Sequence, residues 1–260
     1  MHSLVIVIIF MSATMAAEPK PCCTPKQWEG VIELAEAKFL GKGKAAMNSS
    51  VAAVAHVSYD YTNARIRIDE DVYISGSSTK RTITIIGDFK KTRKIYSIFG
   101  GRCHIFSTTT SAFPQACIPS NATFLMGATL GGTLHYNTFA YITKDKNLGA
   151  IIDISSSKCI PIAFLAFGKS KIKNKPYTEY FASVIKNVTA GIKNKSIFNP
   201  PKLCKSSIKS QDIVVDFNYL KYFLSRGFTL AQENNMYLDR TVEELFQEYS
   251  VQRLHQTLLF

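Results

Sequence analysis

Between Thr133 and Phe167 the chain concentrates β-forming side chains where charge is thinnest, and any fold must accommodate that stretch. Thr133, His135, Thr138, Phe139, Tyr141 and Ile142 lead to a turn at Asp145-Lys146-Asn147, after which Ile151, Ile152 and Ile154 resume an extended pattern. This pattern predicts a hairpin. A second turn at Ser155 to Lys158 is followed by Ile160 to Phe167, apolar at every position. A strand without polar alternation is covered on one face and presents Ile, Leu and Phe on the other, to a core or to an apolar ligand.

The first residues bear on the compartment. Leu4 to Phe10 forms an apolar run too short to span a bilayer, and Thr14-Met15-Ala16 supplies small residues suited to cleavage, so residues 1–16 are expected to be a signal peptide. A secreted chain with six cysteines (Cys22, Cys23, Cys103, Cys117, Cys159, Cys204) predicts a disulfide framework, with the connectivity left open by sequence. Zinc fits poorly. The one tight spacing is the adjacent pair Cys22-Cys23, which does not aim two thiolates at one ion. Sequons at Asn48, Asn121, Asn187 and Asn194 agree with a secretory route and N-glycosylation.

The chain otherwise reads as short strands. Val31 to Phe39 suits a strand or a helix; Val51 to Tyr61 and Arg65 to Asp69 form a hairpin, the second arm alternating basic and apolar residues. Arg81 to Phe89, Lys94 to Phe99 and Arg102 to Thr109 follow, joined by Gly87-Asp88 and Gly100-Gly101. Ala112 to Ala122 reads as a loop, Tyr177 to Ile192 as a last long strand, and Ser196 to Cys204 as an extended closing segment. Such spacing indicates an antiparallel sandwich or open barrel rather than βαβ units. The domain organisation expected is a signal peptide at 1–16, a β domain at 17–204 and a helical extension at 205–260.

In that extension, Ile213, Val214, Phe217, Leu220, Phe223 and Leu224 recur at helical spacing. Thr241-Val-Glu-Glu244 resembles a capping box for a second helix carrying Leu245, Phe246, Tyr249, Leu254 and Leu258. The net charge of +12 is uneven, because residues 205–260 hold six Lys and Arg against seven Asp and Glu. The basic excess therefore lies before residue 205, in runs such as Lys90 to Lys94 and Lys169 to Lys175. These are solvated loop charges, or a surface for anionic lipid head groups; a secreted chain without stacking aromatics between its charges is no nucleic-acid binder.

Catalytic constellations are absent from the sequence. The five histidines are scattered, and no phosphate loop, nucleophile elbow or redox cysteine pair appears. Asp69-Glu70-Asp71 is the sole carboxylate cluster, and it lacks the length and turn glycine of a calcium loop. A non-enzymatic binding protein without metal or cofactor is the reading.

Two segments resemble the opening and closing signatures of the ependymin-related family: Cys22-Cys-Thr-Pro25-Lys-Gln-Trp28-Glu29-Gly30, and Ser196-Ile-Phe198-Asn-Pro200-Pro201-Lys-Leu-Cys204. Gly131-Gly132, Cys103 and Cys159-Ile-Pro161 stand where that family has its middle motifs. The resemblance covers roughly residues 20–204. It implies an all-β fold of two stacked, curved antiparallel sheets in a half-open barrel, similar to bacterial lipoprotein carriers, with an apolar pocket between the sheets and homodimeric assembly. It implies disulfides Cys22 to Cys159 and Cys103 to Cys204, leaving Cys23 and Cys117 to bond to each other. The C-terminal helices fall outside the family pattern.

On that resemblance, the function expected is lipid or hydrophobic-ligand binding in the secretory system or lysosomal lumen. The alternative is an extracellular cell-matrix adhesion glycoprotein; calcium association rests on the family alone. Phe139, Tyr141, Ile152, Phe164, Phe167, Tyr180 and Val184 are the pocket-lining candidates, chosen as apolar residues on predicted strands.

Overall fold

The computed structural model describes residues 18–40, 47–74, 80–107, 113, 115–142, 148–172 and 175–205. Eleven strands run in chain order: β1 (Gln27–Leu40), β2 (Met47–Asp60), β3 (Arg65–Ile74), β4 (Arg81–Asp88), β5 (Lys94–Phe99), β6 (Arg102–Ser107), β7 (Thr123–Leu130), β8 (Leu134–Ile142), β9 (Leu148–Ser155), β10 (Pro161–Ile172) and β11 (Lys175–Ala190). Two 3-10 turns, η1 (Lys195–Phe198) and η2 (Lys202–Lys205), follow.

All eleven strands pair antiparallel in one sheet, in the order β6-β5-β4-β3-β2-β1-β11-β10-β9-β8-β7. The first half meanders outward from β1, and the second meanders inward from the opposite edge to β11. The halves meet where β1 and β11 pair from Trp28↔Ala190 to Leu40↔Tyr177. The all-β class is as expected, but two separate stacked sheets are not what the hydrogen bonds define. The long β1–β11 ladder joins both halves into one unclosed sheet, with β6 and β7 as its edges.

The two faces differ because side chains alternate along each strand. On the inner face, Trp28, Ile32, Val57, Tyr59, Ile66, Ile68, Ile83, Ile85 and Ile95 form the core of the first half. Phe139, Ile152, Ile154, Phe164 and Phe181 form that of the second, and Leu34 on β1 packs against both. The β2–β3 hairpin follows its sequence alternation: Ile66 and Ile68 are buried inside while Arg65 and Arg67 face out. Phe113 stacks on Tyr59 and Phe89 at centroid distances of 5.2 and 5.1 Å, and the Ala116 N–H donates to the Tyr59 hydroxyl at 3.0 Å. Phe113 and Ala116, between β6 and β7, thus lie against the inner face. Burial pushes the Tyr59 phenol far above its ordinary range, so it stays neutral as the acceptor of that bond.

Three disulfides pin this arrangement: Cys22–Cys159, Cys23–Cys117 and Cys103–Cys204, the pairings that the family resemblance and the leftover cysteines suggested. Beside Cys23–Cys117, Thr24 N–H donates to Ala116 O at 2.8 Å and Ile118 N–H to Cys22 O at 2.9 Å.

Local readings are decided or changed at three places. Val31 to Phe39 is a strand, within β1. Thr123–Leu130 is an edge strand that the sequence conceals, with Gly127 inside it and no clean alternation; a turn at Gly131 and Gly132, with φ of 59° and 77°, holds it to β8. Ser196 to Cys204 is turned rather than extended, because the Asn194 carboxamide caps Ser196 N–H at 3.0 Å and Cys204 N–H reaches back to Pro201 O at 2.9 Å. The expected signal peptide at 1–16 and the two amphipathic helices in 205–260 lie outside the described residues, apart from Lys205 in η2.

Gly87 faces the inner core, where an added Cβ would come within 2.7 Å of the Phe89 ring and 3.2 Å of Ile66 Cγ2. Phe89 is fully buried and has no room to swing. Gly87→Ala is therefore expected to destabilise by about 1–3 kcal/mol, read as a lowered denaturant midpoint at unchanged slope.

Candidate ligand-binding face

The inner face of the second half is built from register-aligned rows. One runs Phe124↔Phe139↔Ile152↔Phe164↔Ser183↔Leu34 across β7, β8, β9, β10, β11 and β1. The next runs Tyr141↔Ala150↔Ala166↔Phe181↔Glu36. Edge-to-face pairs Phe124–Phe139 and Phe164–Phe181, each with centroids 5.8 Å apart, fix the ring orientations. Between Tyr141 and Phe181 stand two alanines, so the row is low in the middle and high at its ends.

The seven lining candidates divide between the faces. Phe139, Tyr141, Ile152 and Phe164 are buried together on the inner face. Phe167, Tyr180 and Val184 face outward, 46%, 49% and 45% exposed. The structure adds Phe124, Ala150, Ala166, Phe181 and Ser183 to the inner set. Charge parity carried the signal: Lys186 shares its side of β11 with Val184 and Tyr180, and ion-pairs with Glu33 at the surface.

Ser183 is the polar exception in its row. It is 3% exposed, and its hydroxyl has no hydrogen-bond partner among the described residues. A buried, unpaired hydroxyl costs about 1–3 kcal/mol, so apolar packing alone gives no reason for serine between Phe164 and Leu34. Inner-face Glu36 and buried Glu70 lie on different strands and in rows four residues apart along β1, so they do not form a convergent acid pair.

The acidic triplet splits likewise. Asp69 and Asp71 point outward while Glu70 points in. Asp69 accepts from Arg67 at 2.6 and 2.9 Å and from Thr84 at 2.7 Å. Asp71 is held below the usual carboxylate range by hydrogen bonds from Thr82 and then Lys80, at 2.7 and 3.0 Å. These three carboxylates cannot converge on one ion, and among the described residues no group of three metal-ligating side chains gathers. Asn121, Asn187 and Asn194 are exposed, while the side chain of Asn48 on β2 lies outside the description. No helix among the described residues is long and apolar enough to cross a membrane.

An unclosed antiparallel sheet with an apolar inner face, stapled by three disulfides, defines a disulfide-bonded all-β protein built on one large open sheet. The ependymin family model matches residues 77–204, from just before β4 into η2, and this part of the chain is ependymin-like. No curated protein matches the chain. Proteins of this family are typically secreted and generally non-enzymatic.

Proposed function

We propose that this protein is a non-enzymatic, secreted or lysosomal lipid-binding glycoprotein that holds an acyl chain against the inner face of β7–β11, where the two halves of the sheet act as opposed layers. The observation that carries the reading is the unpaired Ser183 hydroxyl set in a row of aromatic and aliphatic side chains. An acyl chain lying on Phe139, Ile152 and Phe164 gains about 0.8 kcal/mol per buried methylene, and an ester or carboxyl oxygen satisfies Ser183. The alanines at 150 and 166 supply the low ground for the chain. The exposed turn Lys90 to Lys94 attracts anionic head groups, each basic residue adding roughly 1 kcal/mol near such a surface.

Lipid extraction and mass spectrometry of protein secreted from eukaryotic cells tests this, beside a Ser183→Ala variant. Alanine removes the unpaired hydroxyl and adds no atom to the buried row, so the variant is expected to be about as stable as the parent while its lipid affinity falls about tenfold, a loss of about 1.4 kcal/mol. Stoichiometric lipid in the parent with weakened retention in the variant supports the proposal. Lipid-free parent protein that takes up no added long-chain lipid sinks it.

A further inference from the structure

The outer face of the sheet carries apolar side chains where water ordinarily favours polar ones. From Ala140 on β8 an unbroken row of cross-strand partners passes through Ile151, Leu165, Ala182 and Ala35 to reach Tyr73 on β3 by way of β2. A second row joins Ile142, Gly149, Phe167, Tyr180 and Ala37. Leu165, Phe167, Tyr180 and Tyr73 are 42–49% exposed, and the far end of the Phe167 ring sits over Gly149. Contiguous exposed apolar surface seven strands wide marks an interface.

The route of the chain after β11 indicates what covers it. Residues 195–205 already lie on this face: Arg67, on the same side of β3 as Tyr73, donates to Ile197 O at 2.8 Å, and Arg65 sits 4.4 Å from the Phe198 ring centroid. Cys204 is bonded to Cys103 within an outer-face cluster that includes Ile86 and Tyr96. The polypeptide beyond Lys205 therefore leaves the domain from the face that carries the exposed apolar rows. We propose that the C-terminal segment 206–260 folds back across the outer face of the sheet and covers it with its two apolar stripes.

Length and charge both suit that occupant. The stretch Thr241 to Leu258, as a helix rising about 1.5 Å per residue, is about 27 Å long, and the rows from β8 to β3 span six strand spacings, about 29 Å. The first stripe, Ile213 to Leu224, adds a second rod about 18 Å long. Segment 206–260 has seven acids against five bases, and the sequence places Lys169, Lys171 and Lys175 on β10 and β11 near their shared end.

Replacing Leu165 in the full-length protein by the photo-crosslinker p-benzoylphenylalanine tests the placement, with Lys91, in the exposed β4–β5 turn, as control position. The expected result is an intrachain crosslink from position 165 to a peptide within 206–260, at least tenfold stronger than from position 91. A Leu245→Ser, Phe246→Ser variant with an unchanged disulfide map is expected to lose it. Crosslinks between two chains at position 165 assign the face to a second copy and overturn the proposal. Equal tail crosslinking from both positions, or crosslinks to lipid alone or to nothing, overturn it as well.

Discussion

Replacing Asp60 by alanine is expected to lower the unfolding free energy by about 3 kcal/mol, the low end for breaking a buried ion pair, because Asp60 is buried while the Arg65 side chain is 22% exposed. Asp60 is fully buried at the end of β2. Its carboxylate accepts from Gln27 at 2.8 Å, from the Asn63 backbone at 3.1 Å and side chain at 2.8 Å, and from Arg65 at 2.6 Å. Arg65 in turn stacks on Phe198, so one carboxylate organises the β2–β3 turn and the seat of the C-terminal segment. Burial pushes this carboxyl up, but the bonds from Gln27, Arg65 and Asn63 outweigh it and hold the group below the usual range. The sign follows: the unfolded chain binds the proton more readily, so the stabilisation is complete above the unfolded value of about 3.9 and lost as pH falls through the lower folded value. Asp60→Asn keeps an acceptor but not the charge. Its deficit against the parent, measured by denaturant unfolding, should be constant above about pH 5 and shrink below about pH 4. A deficit that grows on acidification would refute this account.

The residues that made the fold legible were those whose alternation is strict. Arg65-Ile-Arg-Ile-Asp69 announces its own two faces, and the structure buries both isoleucines. The run Ile160 to Phe167 announces a strand but not its sidedness, because every member is apolar; Phe164 went in and Phe167 out. The charges beyond the apolar runs held that information, since a lysine two residues from Val184 marks its parity as the wet one. Two strands' worth of order came from partners instead of local pattern. Thr123–Leu130 is a strand because β8 accepts it, and β1 and β11 merge two sheets into one because their ladder is long, which no single segment reveals. Ser183 is illegible in the sequence for a related reason: a serine on a strand is unremarkable until its row shows hydrophobic neighbours on both sides.

The second large effect is expected at the Cys103–Cys204 bridge. Substituting both cysteines by serine should cost about 2–5 kcal/mol, because the bond closes a loop with a sequence separation of 101 and its loss returns that freedom to the unfolded chain. The N-terminal bridges span comparable separations of 137 and 94, yet they start from neighbouring residues, Cys22 and Cys23. Removing either leaves its neighbour to hold residues 20–25 against the inner face, so each single loss should be the smaller. Cys103–Cys204 has no such substitute. Without it, Phe198 against Arg65 and the Arg67 bond to Ile197 are the named contacts left to seat residues 195–205 on the outer face. The Asn199 and Cys204 amides, which close η1 and η2, should then exchange with solvent at least tenfold faster while the amides of the β1–β11 ladder change only with global stability. A bridge that merely restrained the unfolded chain would shift global stability and leave that local difference absent. Faster exchange confined to the two turns would show that the bond also fixes the point from which the C-terminal segment sets out across the sheet.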